Sequence, residues 1–419
     1  MLGQRLRHLS VMALSSVLLL ASSARAQEWT RFRGPNGTGI SNATTVPVEC
    51  NDATRNWKTD LPGTGHSSPV VWGDHIFVTS AEEDAGKRYL LCIRSTDGRV
   101  LWKHTYDFSK YPHHQFNSSA SSTAAVDKDR VYISWCSPDG LTVYALTHDG
   151  KDVWSRDLGK WNGQHGGGCS PVVVDDLVVM RSDSDEMGPD SFITGLDAKT
   201  GAVRWKTPRT SKTASYSTPI LYQPKDGSAQ LIFTSNGHGI TSIDPKTGSV
   251  NWEIGGLFQQ RCVSGPVLVN GLLFGTAGDG GGRRQAVAIR PGAKGVNGGG
   301  EIVYQVTRVA PYVPTPIVLG DRMYLWGDSG IVTCVKAATG EVVWTERVGG
   351  NYFGSPVCVN GKIYALSAKG ELVVVEASDQ FKILGRSDLG EASHSTPAVA
   401  NGAMFVRTES HLISFGGKK

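Results

Sequence analysis

The stretch LDAKTGAVRW (Leu196–Trp205) returns almost unchanged as IDPKTGSVNW (Ile243–Trp252), so that the two tryptophans stand 47 positions apart. Looser copies end at Trp102, Trp154 and Trp344, and a weaker copy ends at Tyr304. Self-similarity at a period of about 20–50 residues is the signature of a repeat architecture. The chain is therefore a series of similar units.

A second phrase marks the other end of each unit. It has the form Ser/Thr-Pro followed by apolar residues, and its prolines are Pro69, Pro171, Pro219, Pro266, Pro316, Pro356 and Pro397, with Ala124 in the remaining slot. Alternating segments such as DRVYISW and GKIYALS lie between the phrases and predict short strands. Four strands per unit at this period predict an all-β fold, an eight-bladed β-propeller of four-stranded antiparallel blades.

The two ends of the chain predict how the ring closes. The last unit, which begins at His394, contains only three predicted strands. The segment TRNWKTDL (Thr54–Leu61) resembles a fourth strand with no three strands before it. If the segment Thr54–Leu61 supplies the fourth strand of the last unit, the ring closes and the exposed strand edges of an open array disappear. We therefore expect a propeller over 54–416, an N-terminal lead-in over 27–53 and a short tail over 417–419.

The first 26 residues predict export. Arg5 and Arg7 precede the apolar run Val11–Ala21, and small residues lead to a cleavage site near Ala26, which together describe a signal peptide. This segment carries three of the chain's four net positive charges. The mature chain then has neither the basic stripe of a nucleic-acid-binding protein nor an apolar run of ~20 residues that would span a membrane. Without a Cys at the cut, no lipid anchor is expected, and the location is periplasmic or extracellular.

The repeated aromatic residues are predicted to be structural. A large indole face suits burial between neighbouring blades, with its N–H free to find a partner. Six tryptophans occupy this slot: Trp57, Trp102, Trp154, Trp205, Trp252 and Trp344. Cys92 and Cys334 share a repeat position that carries small residues in the other blades. With seven cysteines, the sequence does not decide between free thiols and one or two disulfides.

The phrase A-x-D-x-x-T-G-x-x-x-W resembles the tryptophan-docking motif of the PQQ-like, quinoprotein-type propellers. The resemblance covers 54–416, and the segment WTRFRGPNGTGIS (Trp29–Ser41) looks like the lead-in of exported members. The family includes alcohol dehydrogenases that use pyrroloquinoline quinone (PQQ) and Ca²⁺, and non-enzymatic BamB-type scaffolds. The resemblance therefore implies the propeller fold but does not decide between these functions, because one fold serves many functions.

Two functions compete on that resemblance. A quinone-dependent dehydrogenase would need PQQ, Ca²⁺, a catalytic Asp and, in this family, an adjacent Cys-Cys pair and long inserted loops; this chain has no adjacent cysteines and little insertion. A scaffold needs only a rigid ring that presents a face. We therefore expect a binding propeller with no catalytic residue, BamB-like in architecture, that takes a protein partner or a small ligand. The alternative is a PQQ/Ca²⁺-dependent alcohol dehydrogenase.

The candidate binding residues precede the Ser/Thr-Pro phrase, where each inner strand approaches one mouth of the channel. Three positions before the proline slot, the blades carry His66, Ser121, Gly168, Tyr216, Val263, Val313, Phe353 and His394. Two positions further out they carry Thr64, Ser119, Gly166, Ala214, Arg261, Pro311, Asn351 and Glu391. The two-residue period of a strand predicts that both sets share one face.

From these sets we select His66, Tyr216, Arg261, Asn351, Glu391 and His394 as the ligand-binding candidates. Ring closure makes His66 and His394 neighbours, and together with Glu391 they could hold a metal; the alternative is that the imidazoles bond channel water or backbone. Arg261 and Tyr216 suit an anionic or planar ligand, unless Arg261 pairs with a neighbouring carboxylate.

Three other segments have competing interpretations. The connection Asp107–Ser119 is either a lip over the mouth or an ordinary loop. The acidic segment Arg181–Asp190 lacks EF-hand spacing and is more typical of a solvated loop than of a Ca²⁺ site. The glycine-rich Gly278–Arg284 has no helix after it, so it is not predicted to bind phosphate.

Overall fold

The computed structural model describes residues 28–185, 191–211, 213–292, 295–296 and 299–417. The predicted signal peptide and part of the acidic segment Arg181–Asp190 lie outside these ranges. Eight separate sheets, each with four antiparallel blade strands, form the eight predicted blades. Apart from β-strands, the described residues contain one regular element, the 3₁₀ turn Pro35–Gly37. No helix in the described part of the chain has the length and apolarity needed to cross a bilayer.

The strands follow the order of the predicted units, from the channel outward. Blade 1 consists of Val70–Trp72, His75–Glu82, Lys87–Arg94 and Val100–Asp107. Blade 2 consists of Ala125–Val126, Arg130–Ser137, Gly140–Thr147 and Asp152–Asp157. Blade 3 consists of Val172–Val174, Leu177–Ser182, Ser191–Asp197 and Val203–Arg209. Blade 4 consists of Ile220–Tyr222, Gln230–Ser235, Gly239–Ile243 and Val250–Ile254.

The second half of the ring repeats this pattern. Blade 5 consists of Val267–Val269, Leu272–Gly278, Arg284–Pro291 and Gly300–Val306. Blade 6 consists of Ile317–Leu319, Arg322–Trp326, Ile331–Lys336 and Val342–Arg347. Blade 7 consists of Val357–Val359, Lys362–Leu366, Glu371–Glu376 and Ile383–Asp388. Blade 8 consists of Ala398–Ala400, Ala403–Arg407, His411–Gly416 and, as its outermost strand, Arg55–Asp60.

The N-terminal strand closes the ring as predicted. Arg55–Asp60 pairs antiparallel with His411–Gly416, so that Lys58 lies opposite Ile413. Its Trp57 then reaches blade 1, where the indole Nε1 donates to the carbonyl oxygen of Ser95 at 2.9 Å. The first and last strands of the propeller therefore lie side by side in one sheet, which closes the circle of blades.

Two blades carry a fifth strand that the repeat pattern does not predict. Ile40–Ser41 pairs in parallel with the innermost strand of blade 7, and Gly295–Val296 pairs in parallel with the outermost strand of blade 4. Both segments come from outside the blade that they join. They cover strand edges whose backbone groups would otherwise be unpaired.

The repeated tryptophans hold neighbouring blades together. Trp57, Trp102, Trp154, Trp205 and Trp344 each donate their indole Nε1 hydrogen to a backbone carbonyl of the next blade, at 2.8–3.1 Å. Trp252 instead donates to Gln230 Oε1 of its own blade, at 3.0 Å. In blade 5, Tyr304 takes the slot and its hydroxyl reaches Ala337 O at 2.7 Å. At five of the six predicted positions the indole therefore forms a hydrogen bond to the next blade.

The cysteines belong to the packed interior. The sequence left open whether the chain forms one or two disulfides. In the structure all seven cysteines are free thiols, so the described residues contain no disulfide. Cys92 and Cys334 have no solvent-exposed surface. Burial raises the pKa of both thiols, to about 12 for Cys92 and about 11 for Cys334. They fill the small-residue slot as apolar side chains.

Candidate functional site: the mouth of the channel

A belt of hydrogen bonds runs along most of the channel at the Ser/Thr-Pro phrases, linking seven of the eight blades. The residue just before the proline slot uses its hydroxyl oxygen to accept the backbone N–H of the same position in the preceding blade. Six such links, at 2.8–3.2 Å, are Ser68 N to Thr123, Thr123 N to Ser170, Gly265 N to Thr315, Thr315 N to Ser355, Ser355 N to Thr396 and Thr396 N to Ser68. Six of the eight copies of the phrase supply such an acceptor; within the described part of the chain, the copies at Thr218 and Gly265 do not.

Above this belt lies a cavity of about 640 Å³, which we call the mouth cup. All eight residues at the third position before the proline slot line it: His66, Ser121, Gly168, Tyr216, Val263, Val313, Phe353 and His394. The constant belt presents side chains of varied chemistry, as expected of a surface shaped by binding.

The N-terminal lead-in forms the floor of the mouth cup. Residues 29–41 contact the channel-facing edges of several blades. Trp29 and Val71 of blade 1 exchange two backbone hydrogen bonds, at 2.8 and 3.1 Å. The side-chain amide of Asn36 forms two hydrogen bonds with the backbone of Leu221 of blade 4, both at 2.7 Å. Phe32 of this segment lines the cup from below. The lead-in is therefore a plug across the channel.

Two buried arginines hold the plug. Arg33 is 1% exposed, and its Nη2 donates to the carbonyl oxygens of Pro316 at 2.9 Å and Pro356 at 3.5 Å. Arg31 donates in the same way to Pro219 O. Burial lowers the pKa of both guanidinium groups, to about 10 for Arg31 and about 9 for Arg33. The proline phrases thus supply acceptors to the plug as well as links to the belt.

One wall of the cup is built from aromatic rings. The imidazoles of His66 and His394 have ring centroids 4.4 Å apart, the adjacency expected from ring closure. Phe353 lies edge-on to His394 at 4.8 Å, and Phe116 stacks on Phe353 at 4.5 Å. Phe116 belongs to the connection Asp107–Ser119 and is 46% exposed. That connection therefore does form a lip over the mouth.

The two histidines of this wall are held in the neutral form. The pKa of His66 lies well below its usual value because of burial first, and then because of the nearby His394, Arg407 and His113. Burial also lowers the pKa of His394. The Nδ1 atom of His394 is buried without a hydrogen-bond partner in the described residues. This wall therefore offers neutral aromatic faces.

The opposite wall is polar and centred on Arg261. Its Nε donates to Ala214 O at 2.7 Å, its Nη1 lies 3.3 Å from His165 Nε2, and its Nη2 lies 3.6 Å from Asp185 Oδ1. The arginine thus pairs with a carboxylate, which was the alternative left open by the sequence. Its guanidinium also lies 6.0 Å from the ring centre of Tyr216.

A second arginine continues this wall. Arg284 Nη1 lies 3.1 Å from Asp328 Oδ2, and the same carboxylate accepts the backbone N–H groups of Tyr312 and Val313 at 2.9 and 3.0 Å. The Arg284 guanidinium lies 6.0 Å from the Tyr312 ring centre. Each of the two arginines on this side of the cup therefore lies near a tyrosine ring and is paired with a carboxylate.

The selected candidates divide into two groups. His66, Tyr216, Arg261, Asn351 and His394 line the cup. Glu391 does not: its carboxylate accepts Ser410 N at 2.9 Å and His411 Nδ1 at 2.7 Å, as well as the hydroxyls of Thr408 and Ser410. Burial alone would raise the pKa of Glu391, but these hydrogen bonds outweigh it and lower the pKa to about 2.

This placement separates Glu391 from the two histidines with which it was combined as a metal set. The described residues contain no group of three His, Cys, Asp or Glu side chains arranged to hold a metal ion. The residues before each inner strand are not in regular strand conformation. The two-residue alternation therefore fails at the outer position, where only Arg261 and Asn351 of the eight residues reach the cup.

Several lining residues were not among the selected candidates. They are Phe32, His114, Phe116, His165, Asp279, Arg284, Tyr312 and Asp328. The sequence signal for two of them was the aromatic and histidine-rich connection Asp107–Ser119. His165, Arg284 and Asp328 lie in loops or at strand ends, outside the repeated positions, and Gly278–Arg284 contributes wall residues rather than a phosphate cradle.

The cup does not fit the quinone and Ca²⁺ pair of the dehydrogenases. Ca²⁺ takes six to eight oxygen ligands, largely carboxylates and carbonyls. The cup's own carboxylates are already engaged, Asp328 as described and Asp279 by Arg283, whose Nε donates at 2.6 Å. No two cysteines are adjacent. We therefore assign no catalytic step to these residues.

The comparisons with known proteins agree with this architecture. The family model described as outer membrane protein assembly factor BamB matches residues 41–135, 86–345, 297–382 and 328–415. The BamB of Burkholderia pseudomallei (strain K96243) is 31% identical over 108 residues, which are 26% of this chain and 28% of that relative. The matched segment thus spans less than a third of the relative's length.

Solved structures show the same fold at low sequence identity. Quinohemoprotein alcohol dehydrogenase from Comamonas testosteroni superposes with a TM-score of 0.69 at 14% identity, covering 95% of this chain and 82% of that one. BamB from Moraxella catarrhalis superposes with a TM-score of 0.60 at 16% identity, covering 86% and 99%. Since the family model matches most of the propeller, the chain belongs to the PQQ-like repeat family described by the outer membrane protein assembly factor BamB.

Proposed function

We propose that the protein is an exported, non-catalytic binding propeller that receives a small ligand or a segment of a protein partner in its mouth cup. The observation that carries the proposal is the plug: the N-terminal lead-in lies across the channel and provides the floor of a cavity of about 640 Å³. A closed-floor pocket with aromatic walls and a few polar groups is the usual form of a binding site.

The rim favours a protein partner over a small ligand. Phe116 stands at the entrance with 46% of its surface exposed, and aromatic residues are enriched at protein interfaces. The family is described by a factor of outer membrane protein assembly, which also favours a protein partner. We propose the periplasm or the cell exterior as its location, after cleavage near Ala26.

A photo-crosslinking experiment tests the binding role. A photoreactive residue at position 116 should capture a defined partner in the native host, whereas the same residue at position 203, on an outermost strand and 49% exposed, should not. The purified partner should then bind the wild-type protein and lose affinity for Arg284→Gln. Equal capture at both positions, or binding indifferent to Arg284→Gln, would rule out the mouth as the binding site.

A thermal melt tests the competing dehydrogenase. We expect the midpoint of the mature chain, Gln27–Lys419, to be the same with and without PQQ plus Ca²⁺. A cofactor at a hundred times its Kd adds about 2.7 kcal/mol to the stability of a folded protein that binds it. A rise in the midpoint that disappears when Ca²⁺ is omitted would overturn the non-catalytic proposal and restore the dehydrogenase.

A further inference from the structure

A second cavity, separate from the mouth cup, lies at the seam between blades 1 and 2. It has a volume of about 470 Å³ and shares no lining residue with the cup. Blade 1 contributes Arg88 and Tyr106, and blade 2 contributes Trp135, Tyr144, Asp139 and Asp157. We call it the seam cavity. Its lining includes the first residues of the connection Asp107–Ser119, but none of its residues was selected as a binding candidate or used in the proposed function.

The walls of the seam cavity are aromatic. The Tyr106 ring lies edge-on to Trp135 with centroids 5.6 Å apart, and at 4.8 Å from Tyr144. The Arg88 guanidinium lies 4.2 Å from the centre of Phe108, which also lines the cavity. Such rings provide flat apolar surfaces against which the C–H face of a ligand can pack.

Buried hydrogen-bond donors along the cavity lack partners. The Nε1 of Trp135, the Nε of Arg88 and the hydroxyl of Tyr106 are buried without a hydrogen bond to any described residue. Trp135 is 6% exposed and Arg88 is 3% exposed. A buried polar group without a partner costs about 1–3 kcal/mol, so three of them beside one cavity require an explanation. The donor atoms are themselves fully buried, so a ligand with several acceptor oxygens would satisfy them on displacing the lining side chains that cover them.

Carboxylates provide acceptors at the same cavity. Asp139 and Asp157 are exposed lining residues, and neither forms an ion pair in the described structure. Asp157 Oδ1 accepts the backbone N–H of Gly159 at 2.8 Å, which leaves its second oxygen available. Asp107, also in the lining, is paired with Lys87. The cavity thus combines buried donors with exposed acceptors.

This combination selects the charge of the ligand. A cation would suit the carboxylates and the aromatic rings but would be repelled by the buried Arg88 guanidinium. An anion would suit Arg88 but would be repelled by Asp139 and Asp157. A neutral molecule rich in hydroxyl groups can accept from the donors, donate to the carboxylates and pack its C–H face on the rings. We propose that the seam cavity is a binding site for a neutral saccharide.

Calorimetric titration with four neutral probes tests this site: cellohexaose, chitohexaose, maltohexaose and xylohexaose. We expect at least one of these saccharides to bind with a Kd of about 5 mM or below. Trp135→Phe keeps an aromatic ring but removes the unpartnered N–H, and should weaken that binding about tenfold. The double substitution Asp139→Asn, Asp157→Asn changes only exposed carboxylates, and should also weaken it about tenfold.

Trp326→Phe is the matched control. The Trp326 Nε1 is likewise buried without a partner, but it lies in blade 6 and outside the cavity, so its loss should leave saccharide binding unchanged. Failure of all four probes, or binding that survives both the Trp135 and the aspartate variants, would overturn the proposal. Binding of tetralysine in competition with the saccharide would overturn it in favour of a cation site. Each outcome is independent of whether the mouth cup binds a partner.

Discussion

The backbone N–H of Thr396 donates to Ser68 Oγ at 3.2 Å, across 328 positions of sequence. This hydrogen bond joins blade 8 to blade 1, so the belt of links runs without a break from blade 5 through blade 8 and blade 1 to blade 3. Its two residues, Ser68 and Thr396, each follow one of the cup histidines, His66 and His394, by two positions in the sequence. The feature that closes the circle therefore also brings the two histidines of the mouth cup together.

We expect the belt to contribute measurably to the stability of the fold. Thr315→Val keeps the shape of the side chain but removes the hydroxyl that accepts Gly265 N at 3.0 Å, and leaves a buried N–H unpaired. We expect the free energy of unfolding to fall by about 1–3 kcal/mol, measured by urea denaturation. Thr218→Val is the control, because the Thr218 hydroxyl forms no such link in the described residues. Equal losses in the two variants would contradict a stabilising belt.

The glycine of the repeated turn is required by the tryptophan of the preceding blade. Gly201 has φ +70°, and a Cβ there would lie 2.6 Å from the Trp154 ring. Gly73 has φ +57° with nothing within 4 Å of a Cβ. Gly73→Ala should therefore cost only the left-handed backbone penalty of about 1–2 kcal/mol.

Gly201→Ala should cost clearly more than Gly73→Ala, because the indole of Trp154 must move as well. The thermal midpoints of the two variants and the near-UV circular dichroism of the tryptophans provide the measurement. If both variants lose the same stability and leave the tryptophan signal unchanged, close packing between the turn and the indole is not what selects glycine.

The plug is expected to stabilise the ring. Arg33→Ala removes the donor to Pro316 O and Pro356 O and leaves space in the channel. The free energy of unfolding should fall by about 3 kcal/mol, since hydrogen bonds from charged donors contribute about 1.5–3 kcal/mol each. Arg99→Ala, on the exposed surface, should have no effect. An unchanged urea midpoint for Arg33→Ala would show that the plug does not contribute to stability.

The protonation of His165 reports on the polar wall of the cup. Burial, then Arg261, then His114 lower its pKa to about 4. Because the folded-state pKa lies below the usual value of 6.5, its contribution to stability is complete above pH 6.5 and is lost as the pH falls towards 4. Arg261→Gln should raise the midpoint of the His165 imidazole resonances in an NMR titration.

Arg284→Gln provides the comparison for this titration, because Arg284 is not among the groups that lower the pKa of His165. It should leave the midpoint near 4. If Arg261→Gln also leaves it there, burial alone accounts for the shift, and the 3.3 Å contact between Arg261 Nη1 and His165 Nε2 has no electrostatic consequence.

Repeated features were predictable and single features were not. The phrase at Leu196–Trp205 and the Ser/Thr-Pro slots predicted the blades correctly because the copies of one geometry reinforce each other. The third position before each proline slot lines the mouth cup, and its binding role stays a prediction. Glu391 was placed wrongly at the mouth because its position was extrapolated from strand alternation into a segment that is not a strand. The residues Arg284 and Asp328 have no repeated counterpart to reveal them.

The sequence by itself determined the all-β class, the number of blades and the closure of the ring, because these depend on local strand patterns and on the matching of two incomplete units. Only the tertiary structure decided that the lead-in plugs the channel, that Arg261 pairs with Asp185, and that Arg88, Tyr106 and Trp135 meet at one seam. The physical reason is that these contacts join single side chains from distant segments. Their meeting depends on where the closed ring places each blade, and no local period records it.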